Sequence, residues 1–232
     1  MLANSLASLR SMRSLRDCEV LLLDGLSEGQ PGAGMLPAAL DILADGGARV
    51  ERVTPATGAA AFERFAAAAL QPQNPDAFRL LVLSEPEYFP ALAAPDGYGG
   101  TPSGASRALK DLLRSGPALG SYSVVTASGL GSIASVLHPS REVSLFNHRA
   151  VQQSNDEESM TLFSSLAATR IMAQTDHHMA GMYVDTVQGV RAAQLFKAYA
   201  ASTDIYGDQS PAGLVAALAT VYGGGQLQRA VG

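Results

Sequence analysis

The residues best placed to do chemistry are Ser84, Glu85 and Glu87, which lie in the run FRLLVLSEPEYF from Phe78 to Phe89. Four apolar residues, Leu80 to Leu83, have strand character and carry this polar group to a strand's carboxyl end. An acid there can hold Mg²⁺, and a carboxylate beside it can polarise a water for attack on phosphorus. That reaction needs positioned charge rather than covalent chemistry. Here the strand-end residue is Ser84, which is not an acid, and the carboxylates are Glu85 and Glu87. Two other strand-like runs end in polar residues: CEVLLLDG in Asp24, and SYSVVTAS in Thr126 and Ser128.

The elements that must position these groups follow from the patterning. Cys18 to Gly25 is a continuous Val/Leu run closed by Asp-Gly, as expected for a strand covered on both faces. LPAALDILADGG then places Leu36, Leu40 and Leu43 on one face of a helix that stops at Gly46-Gly47. Ala48 to Thr54 alternates Val50 and Val53 with charges and predicts a second strand. An Ala-rich helix covers Gly58 to Leu70, and Gln71 to Ala77 separates it from the Ser84-Glu85 strand. Pro90 to Gly104 is a Pro/Gly-dense loop too long for a plain turn.

A helix resumes at Ser103 with Leu109, Leu112 and Leu113 on its apolar side, and Ser121 to Ser128 is another buried strand. Glu142 to Gln152 has a strand pattern, and Ser154 to Glu157 forms a capping box opening a helix through Met172. Gly181 to Tyr199 predicts a hairpin turning near Val187-Gln188-Gly189, and Ser210-Pro211 caps a last helix ending at Gly223. Helices alternating with apolar strands predict an α/β fold, a mostly parallel sheet with helices on both faces and a C-terminal β-hairpin. Such sheets place chemistry at their strands' carboxyl ends. No internal repeat is present, and residues 1–232 read as one domain.

Composition is consistent with a folded unit. Apolar residues make up 47% and charged residues 16%, and a net charge of −5 gives no global basic footprint for nucleic acid. One cysteine, Cys18, excludes an internal disulfide framework and a thiolate metal site. No stretch approaches the roughly 20 apolar residues of a membrane helix. The opening MLANSLASLRSMRSLRD is Ser/Arg-rich like a transit peptide, but Leu2, Leu6, Leu9 and Met12 form one helical stripe, which favours a helix over Met1 to Leu15.

Taken in order, these segments resemble the motor domain of the FtsK/SpoIIIE–HerA family of RecA-like P-loop ATPases, and also type VII secretion motors, over nearly the whole chain from Met1 to Tyr199. LLLDG is similar to the family's Asp-ending strand and LLVLSE to its Walker B strand. LRSGPALGSYSVVTAS, Leu113 to Ser128, resembles the glycine-spaced lead into the sensor strand. FNHRAVQQSNDEES, Phe146 to Ser159, resembles the strand with a central Arg, and GMYVDTVQGVRAAQLFKAY the closing hairpin.

The resemblance implies ATP and Mg²⁺ as cofactors, with Ser84 and Asp24 on the nucleotide side, Glu85 activating water and Thr126 or Ser128 sensing the γ-phosphate. It places Arg149 near a subunit boundary. It further implies a ring of self or paralogous subunits, hexameric in type, acting on double-stranded DNA or a secreted polypeptide, cytoplasmic and without membrane contact by this segment. The departures are large. No G-x-x-x-x-G-K-[ST] occurs in the sequence, GQPGAG at Gly29 to Gly34 lacks a following Lys, and Gly223 to Gly225 follows a helix rather than a strand. The phosphate loop would lie just before residue 1, so the segment reads as N-terminally truncated. With Ser84 in the Mg²⁺ position, ATP binding and hydrolysis by this chain alone are not expected. A degenerate scaffold or regulatory subunit is the alternative.

Structural readings of the same residues stand beside these. Glu85 and Glu87 can be solvated acids, Asp24 a turn former and Arg149 an ion-pair partner. Asp176, His177 and His178 do not complete a ligand set, so no metal site is expected of them. Arg10, Arg13 and Arg16 read as a solvated helix face that could also meet a phosphate backbone.

Overall fold

Val/Leu runs that are apolar at every position can be buried on both faces, and this dictates a central sheet. The computed structural model describes residues 9, 15–27, 34–72, 77–93, 101–139, 141–151, 154–166, 169, 180–188 and 193–197. Strands β1 (Cys18–Asp24), β2 (Arg49–Val53), β3 (Phe78–Ser84) and β4 (Ser121–Thr126) form one parallel sheet in the order β2-β1-β3-β4. Odd-numbered Leu21, Leu23, Leu81 and Leu83 face a core shared with α2 (Gly58–Ala69) and α3 (Gly104–Ser115), through Phe62, Phe65, Leu109 and Leu112. Even-numbered Val20, Leu22, Leu80 and Val82 face a second core with Leu36, Leu40 and Leu43 of α1 (Met35–Asp45). The expected α/β architecture, with helices on both faces of a parallel sheet, is the one that forms.

Among the described residues, β4 lies at one edge of this sheet. Val82 and Leu83 in β3 are fully buried, whereas their register partners Val124 and Val125 are half-buried and Tyr122 is exposed. The ladder turns the backbone groups of alternate residues to one side, so those of Ser123 and Val125 point outward. β4 carries no charge and no proline, the devices that usually mark a solvent edge.

A second sheet is antiparallel, β5 (His148–Val151), β6 (Ala180–Asp185) and β7 (Gln194–Lys197) in that order. The expected hairpin is therefore present. Its turn is set by Asp185, which accepts from the N–H of Val187 at 3.0 Å and of Gln188 at 3.1 Å, and Gly189 lies outside the described residues. The short helix α4 (Leu130–Ala134) follows β4, and α5 (Asp156–Phe163) follows β5.

Three expectations are corrected. The strand over Glu142 to Gln152 is confined to β5, because Val143–Leu145 forms a single helical turn. Glu142 is buried there, accepting from the His138 N–H at 2.7 Å with Lys110 Nζ at 3.7 Å and Arg114 Nη2 at 3.9 Å, which draws the chain inward. The capping box is Asn155 with Glu158, one residue beyond Ser154 and Glu157, and the Ser154 hydroxyl is buried without a partner. α5 stops at Phe163 rather than running to Met172, because Ser164 turns left-handed (φ 53°) with its N–H on Met160 O. Met172, the expected helix of residues 210–223, Asp176 to His178, residues 94–100 of the expected loop and most of Met1 to Leu15 lie outside the described residues, although Leu9 and Leu15 pack on the α1-side core.

The connections after β1 and β3 place α1 and α3 on opposite faces, so the carboxyl ends of these neighbouring strands border the point where the winding reverses. Open α/β sheets bind ligands there. The ends approach closely: Gly25 N donates to Ser84 O at 3.0 Å, and a Cβ on Gly25 would stand 2.5 Å from Glu85 O and 2.7 Å from Ser84 O. Gly25→Ala is therefore expected to destabilise the fold by about 1–3 kcal/mol, the usual cost of overpacking. Gly131→Ala, in α4 with nothing within 4 Å of the new Cβ, should be neutral or stabilising by up to about 1 kcal/mol. Urea unfolding of both variants checks the contrast.

Candidate functional site

Register assembles the site. Asp24 pairs with Ser84, and Ser84 with Thr126, so three strand ends place these side chains in one row. The ladder runs one step further, with Glu85 N donating to Thr126 O at 2.9 Å. Glu85 then leaves the strand at φ 47°, ψ 69°, a left-handed conformation that costs a non-glycine residue about 1–3 kcal/mol. Pro86 follows and disfavours the right-handed alternative.

Several contacts hold Glu85 in that conformation. Its carbonyl accepts from Tyr88 N at 3.2 Å. Its Oε2 accepts from Ser128 N and Ser128 Oγ, both at 3.1 Å, and from Ser132 Oγ at 3.4 Å. Ser132 Oγ also donates to Glu87 Oε2. The carboxylate thereby ties the end of β3 to the turn leading into α4.

The structure thus brings together Asp24, Ser84, Glu85, Thr126 and Ser128 and leaves Arg149 elsewhere. Arg149 sits on β5, where Nε donates to Phe146 O at 3.0 Å and Nη1 to Leu162 O. Burial lowers its pKa from the usual guanidinium value. Ser132 and Glu158, which anchor the Ser128 turn, were not singled out from the sequence. The capping-box spacing was the available signal for Glu158, one residue out of register with the expected box.

Within the row, Ser84 is only 2% exposed. Burial raises the pKa of the half-buried Asp24 above the ordinary carboxylate value, opposed by a hydrogen bond from Leu26 N at 3.1 Å. Among the described residues no three His, Cys, Asp or Glu side chains converge as a metal site. The donor set fits Mg²⁺–ATP only in part. Asp24, Glu85 and the hydroxyl residues suit a metal-bound or attacking water, while the sequence has no G-x-x-x-x-G-K-[ST] to cradle the phosphates.

No family model matches the chain, and no curated protein matches it either. Two solved structures share its fold. Both are of the genome packaging NTPase B204 from Sulfolobus turreted icosahedral virus 2, one in complex with ATPγS and one with AMP. The TM-score is 0.55 for each, at 11% and 12% identity, covering 84% of this chain and 88% of that one. At such identity the likeness is one of fold alone.

Substitutions at Asp24 in the site and at Arg149 outside it test the polar interactions of each. Because the folded-state pKa of Asp24 is raised, its contribution to stability is full below the unfolded pKa and is lost as pH rises through the folded value. Asp24→Asn keeps an acceptor for Leu26 N, so it should raise Tm at pH 7, with the gain closing below about pH 4. Thermal melts across that range check the sign. Arg149→Ala leaves two carbonyls without their donor and should cost about 1–2 kcal/mol, with Arg149→Lys a poor rescue because it lacks the forked donors. Tm should fall about 2–4 °C per kcal/mol for a chain of this size. An unchanged Tm would show that the two contacts contribute nothing.

Proposed function

We propose that this chain is a RecA-like domain of an FtsK/SpoIIIE–HerA-type ring ATPase that moves DNA, with its own nucleotide site degenerate. The observation that carries the reading is the alignment of Asp24, Ser84 and Thr126 at neighbouring parallel strand ends, with Glu85 next in line. Phosphoryl transfer needs such a line of fixed polar groups facing the γ-phosphate. A similarly folded protein that packages a genome and has been captured with ATPγS and AMP supports the same assignment.

In this reading Glu85 orients the attacking water, Thr126 or Ser128 reports on the γ-phosphate, and Ser84 stands where the Mg²⁺-binding acid belongs. The unit is one RecA-like domain that joins its own kind or paralogous subunits in a ring on double-stranded DNA, with Arg149 near the boundary. Ser84 at 2% exposure, and a Glu85 carboxylate engaged by Ser128 and Ser132, favour a subunit that completes the ring without turning over ATP itself. Among the described residues no helix is long and apolar enough to cross a membrane.

The test supplies the phosphate-binding motif and the acid that this sequence does not contain. A strand and G-x-x-x-x-G-K-[ST] loop are fused ahead of residue 1 and combined with Ser84→Asp, and ATP turnover is measured with and without duplex DNA. Turnover should appear, should rise with DNA, and should fall by about 10² or more on Glu85→Gln, the loss expected when a water-positioning base is removed. Turnover unaltered in the Glu85→Gln variant would sink the assignment of Glu85, with Glu87 the next candidate.

A further inference from the structure

A run of hydrogen bonds links the two sheets, and the proposed chemistry does not account for it. Glu158, in the first turn of α5, accepts from Asn155 N through Oε2 at 3.2 Å, while its own N–H donates to Asn155 Oδ1 at 2.9 Å. That closes the capping box. The other oxygen, Oε1, reaches out of α5 and accepts from Leu130 N at 3.2 Å, the first N–H of α4. Gly129 lies against the same oxygen, since a Cβ there would be 3.5 Å from it.

Capping α5 requires only one carboxylate oxygen. The second oxygen anchors the turn that supplies Ser128 and Ser132, the donors to Glu85. α4 is five residues long, too short to hold its own orientation by helix hydrogen bonding, so its position depends on such outside contacts. At the far end of α5, Leu162 O accepts from Arg149 Nη1 of β5. A continuous path therefore runs from β5 through α5 and Glu158 to the Ser128 turn and Glu85.

We propose that Glu158 is a positioning residue that holds the Ser128–Ser132 turn against Glu85 and thereby couples the antiparallel sheet to the candidate site. Its functional meaning rests on the reading of Glu85 as the active acid. The coupling itself does not, and it can be measured without nucleotide.

The experiment is amide hydrogen exchange at Ser128, followed by NMR on the whole chain in five variants. Glu158→Ala removes both contacts of the carboxylate, whereas Asn155→Ala damages the α5 cap and leaves the Leu130 contact. Leu130→Pro deletes the donor N–H while leaving the Glu158 carboxylate in place, and exchanges the half-buried leucine side chain for the ring at the first helical position, where proline is tolerated and Gly129 before it is already extended. Ser128 exchange should rise about tenfold or more in Glu158→Ala and in Leu130→Pro, and change by less than about twofold in Asn155→Ala. In a Glu85→Gln background the Glu158→Ala effect should shrink, because energetic coupling shows as non-additivity.

Equal effects of Glu158→Ala and Asn155→Ala would reduce Glu158 to a helix cap and overturn the proposal, as would strict additivity with Glu85→Gln. Leu130→Pro keeps the test decisive should Glu158→Ala fail to fold. If the coupling is present but turnover of the restored enzyme ignores Glu85→Gln, the functional reading fails and the positioning role stands. If the coupling is absent, the positioning role fails whatever the turnover.

Discussion

The close approach of β1 and β3 at their carboxyl ends is the constraint on which the rest of the site depends. Gly25 donates to Ser84 O with no room for a side chain, so the strand ends cannot spread apart there. That contact sets Asp24 beside Ser84 and fixes where β3 must release its chain, at Glu85. Release at that point, with Pro86 next and the Glu85 N–H already bound to Thr126 O, leaves a left-handed turn as the conformation that keeps both bonds. The backbone strain at Glu85 is thus a consequence of sheet geometry. The serine contacts to its carboxylate and the turn bond from Tyr88 N help offset it.

Much of this was legible in the residues. Continuous runs such as EVLLL and RLLVL can only be strands covered on both faces, and their polar ends mark the sheet's carboxyl edge, so Asp24, Ser84, Glu85, Thr126 and Ser128 could be named together. Arg149 could be named too, but its two carbonyl partners could not, because Phe146 and Leu162 offer backbone oxygens whose positions only tertiary packing decides. The strand assigned to Glu142 to Gln152 failed for a related reason. Its alternation was right for a strand, yet the buried Glu142, facing Lys110 and Arg114 from α3, outweighs local pattern. The capping box was misplaced by one residue because Ser154-Asn155 offers two competent caps in a row, and the deciding contact, Glu158 to Leu130, joins residues far apart in sequence.

The two sheets have different physical characters. The parallel sheet holds its strand ends by burial on both faces, as the fully buried Leu22, Leu23, Leu81 and Leu83 show. The antiparallel one is small, with Met182 and Val184 packed on Phe163 of α5, and its link to the site runs through polar contacts. Polar links are directional, whereas apolar packing is not. A change in how β5 and α5 sit would therefore be felt at Ser128 through Glu158 sooner than through the large core.

Ser84 is consistent with these electrostatics. The position is almost completely buried and lies in register with Asp24, whose carboxylate burial already disfavours. A second carboxylate there would add a like charge within one strand spacing, about 5 Å, in a poorly hydrated place. Retained protonation of one acid, or a cation held between the two, would have to offset that repulsion. A serine keeps the polar row continuous while sparing the fold a charge that must be neutralised. Asp24 and Glu85 remain as the carboxylates beside the point where the sheet's winding reverses.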